Sequence, residues 1–144
     1  MIRQRYFFRV AWCFFVALLI YGCVGKKPDD DVALIKQLLA KFERGVNQRS
    51  EVVLDSITQD KKQNIASRLL DSLSFGKKLE GARIAKKSFV MVKDSAEVRL
   101  RLRLEYATDE QGPNQIEKSL RLFLNKKRGK WKIQRFSMVS KEKQ

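Results

Sequence analysis

One stretch of this chain constrains its folding more than any other: Ala96 to Tyr106, reading AEVRLRLRLEY. Ala96, Val98, Leu100, Leu102, Leu104 and Tyr106 share one side of a period-2 pattern, and Glu97, Arg99, Arg101, Arg103 and Glu105 share the other. A strand alternates its side chains between two faces, so this run predicts a long β-strand buried on one face only. Wound as a helix, the same residues would spread leucines and arginines around the whole circumference, and no face could be buried without burying guanidinium groups. The sheet that contains this strand therefore has a dry side and a basic side.

The basic side belongs to a basic chain. Its 144 residues carry 31 Lys plus Arg against 16 Asp plus Glu, a formal charge of +15 spread along the sequence rather than gathered in a tail. Such a surface attracts anionic lipid, polysaccharide or nucleic acid, and it also serves solubility alone. The 44% hydrophobic content suits one domain with a modest core.

The N-terminus has a different pattern. Arg3, Arg5 and Arg9 precede an uncharged stretch from Val10 to Gly25, the layout of a secretory signal. That stretch falls short of the roughly 20 residues that cross a bilayer as a helix. Its end, Ile20-Tyr21-Gly22-Cys23, resembles the lipobox of bacterial lipoproteins, with an aliphatic residue at −3 and a small one at −1, although Tyr21 is larger than the residue usual at −2. The resemblance implies cleavage between Gly22 and Cys23 and lipidation of Cys23, which anchors the mature chain in a membrane. Each buried acyl methylene contributes about 0.8 kcal/mol, so several chains hold firmly. An uncleaved signal anchor would tether the same domain on the same side of the membrane. Cys13 would leave with the signal, so the fold is expected to stand without a disulfide. Val24 follows the cysteine where the family's inner-membrane retention signal has aspartate, which favours the outer membrane.

The expected organisation is a signal peptide over 1–22, a lipidated tether over 23–30, one domain over 31–139 and a polar tail over 140–144. Val32, Ile35, Leu38, Leu39, Phe42 and Val46 recur at three- and four-residue intervals, predicting a helix from Asp31 to about Asn47. Ser50 to Thr58 reads as a short second helix, although Val52 and Val53 also suit a strand. Asp60 and Gln63 resemble a capping box opening a third helix with Ile65, Leu69, Leu70 and Leu73 on its stripe and Gly76 as its stop. Strands are expected over Arg83 to Val92, Ala96 to Tyr106, Ile116 to Asn125 and Lys130 to Val139. In the last, Trp131 and Ile133 are out of phase with Phe136 and Met138, and a bulge near Gln134-Arg135 would return all four to the dry face.

Helices followed by strands with short connections predict an α+β domain, N-terminal helices packed on an antiparallel sheet of about four strands. The long first helix, the alternating strand and the closing Leu120-Arg121-Leu122-Phe123-Leu124…Gly129-Lys130-Trp131-Lys132-Ile133 hairpin resemble the NTF2-like superfamily, the cystatin-like α+β roll. The resemblance implies a curved sheet around helices, a cone-shaped cavity and frequent dimers, and it extends to enzymes as well as non-catalytic domains. Enzymes of that family place acidic residues, histidines or tyrosines in the cone; this chain has no histidine, and the inward positions offer aliphatics, Tyr106 and Lys118. Tyr106 reads as a core-edge residue with its hydroxyl in water, or as a polar handle in a cavity with Lys118 closing over a ligand. A small-molecule-binding or enzymatic cone is the alternative function.

No His/Cys ligand set, spaced calcium loop or Gly-rich phosphate loop is present in the sequence, and no cofactor is expected. Stacking aromatics are scarce on the basic face, so nucleic acid is not the expected partner. The face itself, Arg99, Arg101 and Arg103 with Arg121, Phe123 and Lys132 from neighbouring strands, is either solvated or a surface for an anionic envelope component, an acidic protein or a second copy in a homodimer. Proximity of Arg101 to Arg121 would build a guanidinium cluster. The expected function is a lipid-anchored, non-catalytic binding or assembly domain outside the cytoplasm.

Overall fold

The computed structural model describes residues 28–107 and 114–139. The expected signal peptide, the expected Gly22/Cys23 cleavage and lipidation site, the first part of the expected tether, most of the turn between the second and third strands and the expected polar tail lie outside those residues. The chain divides into two compact units between Ala33 and Leu34. Among the described residues the first unit holds only the start of a helix, and the second holds the remainder of that helix, two further helices and the sheet.

Helix α1, Pro28–Asn47, begins three residues ahead of the expected Asp31 and takes in the end of the expected tether. Proline at the first helical position loses nothing by lacking an N–H. Ile35, Leu38, Leu39, Phe42 and Val46 form its buried stripe. Helix α2, Glu51–Asp55, is decided by its cap, since the Ser50 hydroxyl accepts a hydrogen bond from Val53 N at 3.3 Å. The expected capping box at Asp60 is used differently. Asp60 accepts from Lys62 N at 2.9 Å and starts a 3₁₀ turn, Lys61–Gln63; Asn64, at φ 49°, then redirects the chain into α3, Ile65–Ser74. The helix ends with Phe75 and Gly76 both at positive φ, so the stop begins one residue before the expected glycine.

Strands β1 (Leu79–Val92), β2 (Ser95–Tyr106), β3 (Gln115–Lys127) and β4 (Lys130–Val139) form one antiparallel sheet in the order β1-β2-β3-β4. The period-2 pattern of β2 holds without exception: from Ala96 to Tyr106 every second residue is buried. Its leucines face Leu120, Leu122 and Leu124 of β3, Trp131 and Ile133 of β4, and the apolar sides of the helices in a single core. The expected bulge is present. Phe123 pairs with Arg135 and Leu124 with Ile133, leaving Gln134 as the extra residue and returning Phe136 and Met138 to the core side. The β3–β4 turn is Arg128-Gly129, both at positive φ, as a two-residue hairpin with the right twist requires.

Each outer strand is partly covered. At β4, Gln59 N donates to Ile133 O and Ile133 N donates to Ile57 O, so the segment after α2 adds a parallel rung. At β1, α1 does this with side chains: Asn47 Oδ1 accepts from Ala82 N at 2.6 Å and Glu43 Oε2 from Ile84 N at 3.1 Å. Four residues of helix rise about 6 Å and two residues of strand about 6.6 Å, so side chains at i and i+4 match alternate strand N–H groups. A register shift at Ala85 ends the match.

Candidate functional site

The outer face is built from the polar phase of each strand. On β2 it presents Glu97, Arg99, Arg101, Arg103 and Glu105, and the register decides what each meets. Arg99 lies opposite Arg121, Arg101 opposite Ser119 and Arg103 opposite Glu117. The pair set directly opposite is thus Arg99–Arg121, with Arg101 diagonal to Arg121. From β1, Arg83 faces Arg103 and Lys86 faces Arg101. From β4, the bulge places Arg135 beside Phe123, with its guanidinium 4.0 Å from the ring centroid.

Like charges directly opposite one another are destabilising, and Glu97 relieves the conflict. Its Oε1 accepts from Arg99 Nε at 2.9 Å and lies 3.3 Å from Arg121 Nε, close enough to pair but outside hydrogen-bond geometry. The hydrogen bond from Arg99, with the charges of Arg99, Arg121 and Arg135 around it, holds the Glu97 carboxyl below its ordinary range. Arg103 and Glu117 approach to 3.5 Å. Among the described residues Arg101 has no such counter-charge, and with Lys86 and Ser119 beside it, it is the exposed cationic centre of the face.

Two expected members behave differently. Lys132 turns to the edge, where its ammonium donates to Ser56 O, and burial there depresses its pKa. Phe123 is half-buried under Arg135 rather than free to stack. Arg83, Lys86 and Arg135 were not singled out by sequence reasoning. The bulge at Gln134 carried the signal for Arg135, because the same phase change that returns Phe136 to the core sends Arg135 outward.

At one end of this face a depression of about 600 Å³ is bounded by Val90, Val92, Arg99, Phe123 and Arg135. Val90 and Val92 are 69% and 67% exposed, so apolar surface and cations share its wall. A second depression, about 510 Å³, lies between α1 and β1 beside Lys36, Glu43, Arg44, Lys86 and Lys87.

Tyr106 and Lys118 each meet the C-terminal end of α3. The Tyr106 hydroxyl is buried and donates to Leu73 O at 2.6 Å, satisfying a carbonyl in the last turn of α3, and burial raises its pKa. Sequence reasoning put that hydroxyl in water; the position of α3 puts it in the core. Lys118 Nζ sits 4.8 Å from the centroid of the Phe75 ring. Neither residue lines either depression. Among the described residues no group of three His, Cys, Asp or Glu side chains could hold a metal ion, and no helix is long and apolar enough to cross a membrane.

Comparison with known protein families and with curated proteins gives no match. Solved structures do match. The Kfla4162 protein from Kribbella flavida superposes with a TM-score of 0.60 at 12% identity, over 79% of this chain and 93% of that one. A substituted form of Rv3472, a protein of unknown function from Mycobacterium tuberculosis, gives 0.61 at 13% identity, over 82% and 77%. An uncharacterised protein with a cystatin-like fold from Caulobacter vibrioides gives 0.55 at 12%, over 78% and 92%. The fold is the NTF2-like, cystatin-like α+β roll. At these identities the likeness concerns the fold alone, so activity has to be argued from the NTF2-like domain's own surface.

Proposed function

We propose that this protein is a lipid-anchored component of the bacterial cell envelope whose NTF2-like domain is a non-catalytic binding or assembly module with its basic sheet face toward an anionic partner. The anchoring half rests on the sequence: Arg3, Arg5 and Arg9, the apolar stretch, and Ile20-Tyr21-Gly22-Cys23. Intact mass and membrane fractionation of the protein beside its Cys23→Ser variant test it. A mature chain starting at acylated Cys23, with the variant unprocessed, is the expected result; unchanged mass and fractionation in the variant would overturn it.

The binding half rests on Arg101. It stands exposed among Arg99, Arg103 and Lys86, while Glu97 and Glu117 are engaged with other arginines. Planar guanidinium groups in a row suit carboxylates or phosphates, and steering by such a face weakens with salt. The inward side supports a packed core rather than a reaction chamber, since its one tyrosine hydroxyl is committed to the Leu73 carbonyl. Co-sedimentation with phosphatidylglycerol vesicles and with acidic polypeptide-coated beads, across a salt series, tests the face. Arg101→Glu with Arg103→Glu is expected to lower binding to one of these at least tenfold, and undiminished binding to both would remove the face from the reading.

A further inference from the structure

β1 is two different edges in one strand. Up to Ile84 its outward N–H groups are taken by Asn47 and Glu43. After the shift at Ala85 the strand runs on from Lys86 to Val92 as the border of the sheet. The tight turn pairs Val92 with Ser95, and antiparallel alternation then directs the backbone groups of Val92, Val90, Ser88 and Lys86 toward β2. Those of Lys87, Phe89 and Met91 point along the free border, and among the described residues nothing hydrogen-bonds them. Proteins usually blunt such a border, because it templates pairing with another chain.

Both depressions flank this half-strand. One meets it at Val90 and Val92 with Arg99 and Arg135 beyond; the other meets its start at Lys86 and Lys87, with Lys36 and Arg44 across from them on α1. A row of unpaired main-chain donors and acceptors asks for another polypeptide, which neither a lipid headgroup nor a polysaccharide supplies in register. The charge on both sides of the row selects the kind of polypeptide. We propose that the Lys86–Val92 border of β1 is a docking strand for an extended acidic segment of a partner protein. Two residues of the segment on the outer face cover Val90 and Val92, and carboxylates further along it meet Lys86 on that face and Lys87 on the other. A second copy of this chain fits less well, since its own border from Lys86 to Val92 carries two lysines and no acidic residue to meet them. The inference rests on the proposed function only in that the partner is anionic.

The test uses the full-length protein in detergent micelles and a fluorescent nine-residue peptide of glutamates with two valines two positions apart, and the same peptide with lysine for every glutamate as control. Saturable binding of the acidic peptide alone is expected, with amide exchange at Phe89 and Met91 slowed at least tenfold and exchange at Ala82 and Ile84 unchanged. Met91→Pro removes an outward N–H that the ladder to β2 does not use, and it should weaken the peptide at least tenfold. Lys86→Glu with Lys87→Glu, both exposed, should do the same without disturbing the fold. Peptide binding untouched by these variants but abolished by Arg101→Glu would overturn the docking strand and leave the basic face standing. The reverse pattern would retain the strand and remove the face. Concentration-dependent self-association that excludes the peptide and is lost in Met91→Pro would assign the border to a second copy and overturn the proposal.

Discussion

The two sides of β2 have the same backbone, the same neighbours in the ladder and almost the same number of side chains, yet they do opposite things. Leu100, Leu102 and Leu104 are fully packed between β1, β3 and the helices, whereas Arg99, Arg101 and Arg103 stand at the surface with two glutamates shared among them. Stability is expected to reside in one set and recognition in the other. The same strand can therefore vary one without the other, provided the phase of the alternation is kept.

Substitutions can break or sharpen this contrast. The largest effect is expected at Leu102→Ala, which removes a fully buried side chain and leaves a cavity. It should cost about 3 kcal/mol by denaturant titration, with the charge of the outer face unchanged. Next comes Asn47→Ala, which leaves the Ala82 N–H at the covered border without its 2.6 Å partner and should cost roughly 1–2 kcal/mol by the same titration.

Tyr106→Phe should cost about 1 kcal/mol at neutral pH through the lost bond to Leu73 O, and it also carries a pH signature. Burial raises the folded-state pKa of Tyr106 above its ordinary value of 10.0, so the native state holds the phenolic proton more tightly than the unfolded chain does. That stabilisation is fully present below the unfolded pKa and is lost as pH rises through the folded one. The gap between wild type and Tyr106→Phe should accordingly narrow in alkaline unfolding curves above about pH 10; a gap constant with pH would show the hydroxyl to be solvated.

The smallest expected change in stability is at Arg101→Ala, within about 0.5 kcal/mol of wild type, because the side chain is exposed and outside the ion pairs. Its effect should appear instead as weaker, less salt-dependent binding of anions. Glu97→Gln sharpens the contrast from the other direction by removing the carboxylate that Arg99 and Arg121 share; anion binding should strengthen, at a modest cost in stability as the two guanidinium groups face each other unrelieved.

The sequence was most legible where a single periodicity decides the outcome. In β2 no residue breaks the alternation, so strand, burial and faces followed together. In β4 the mismatch between Trp131/Ile133 and Phe136/Met138 was enough to locate the bulge. β1 was less legible: register shifts after Leu79 and after Ile84 interrupt its phase, so its beginning at Leu79 rather than Arg83 was hidden. Which arginine meets Arg121 stayed open for a related reason. Cross-strand register depends on the length of the connecting turn as well as on the strands, and only the paired sheet shows Arg99 rather than Arg101 opposite it. The Tyr106 hydroxyl was beyond reach because its acceptor lies on a helix whose end is placed by tertiary packing. The lipobox-like Ile20-Tyr21-Gly22-Cys23, where Tyr21 departs from the family's pattern, lies outside the described residues and is tested only by chemistry on Cys23.

Gln134 gives β4 a consequence that concerns length rather than chemistry. The strand is effectively two half-strands joined out of phase, and one residue of backbone keeps both aligned to the same core. Most surface turns absorb the gain or loss of a residue, but here deletion would turn Arg135 and Ser137 inward and expel Phe136 and Met138. A deletion variant with an unaltered cooperative melt would contradict this. In a lineage of related chains, this position should therefore vary freely in residue type while the spacing between Ile133 and Phe136 stays fixed, so insertions and deletions would accumulate around it and not at it.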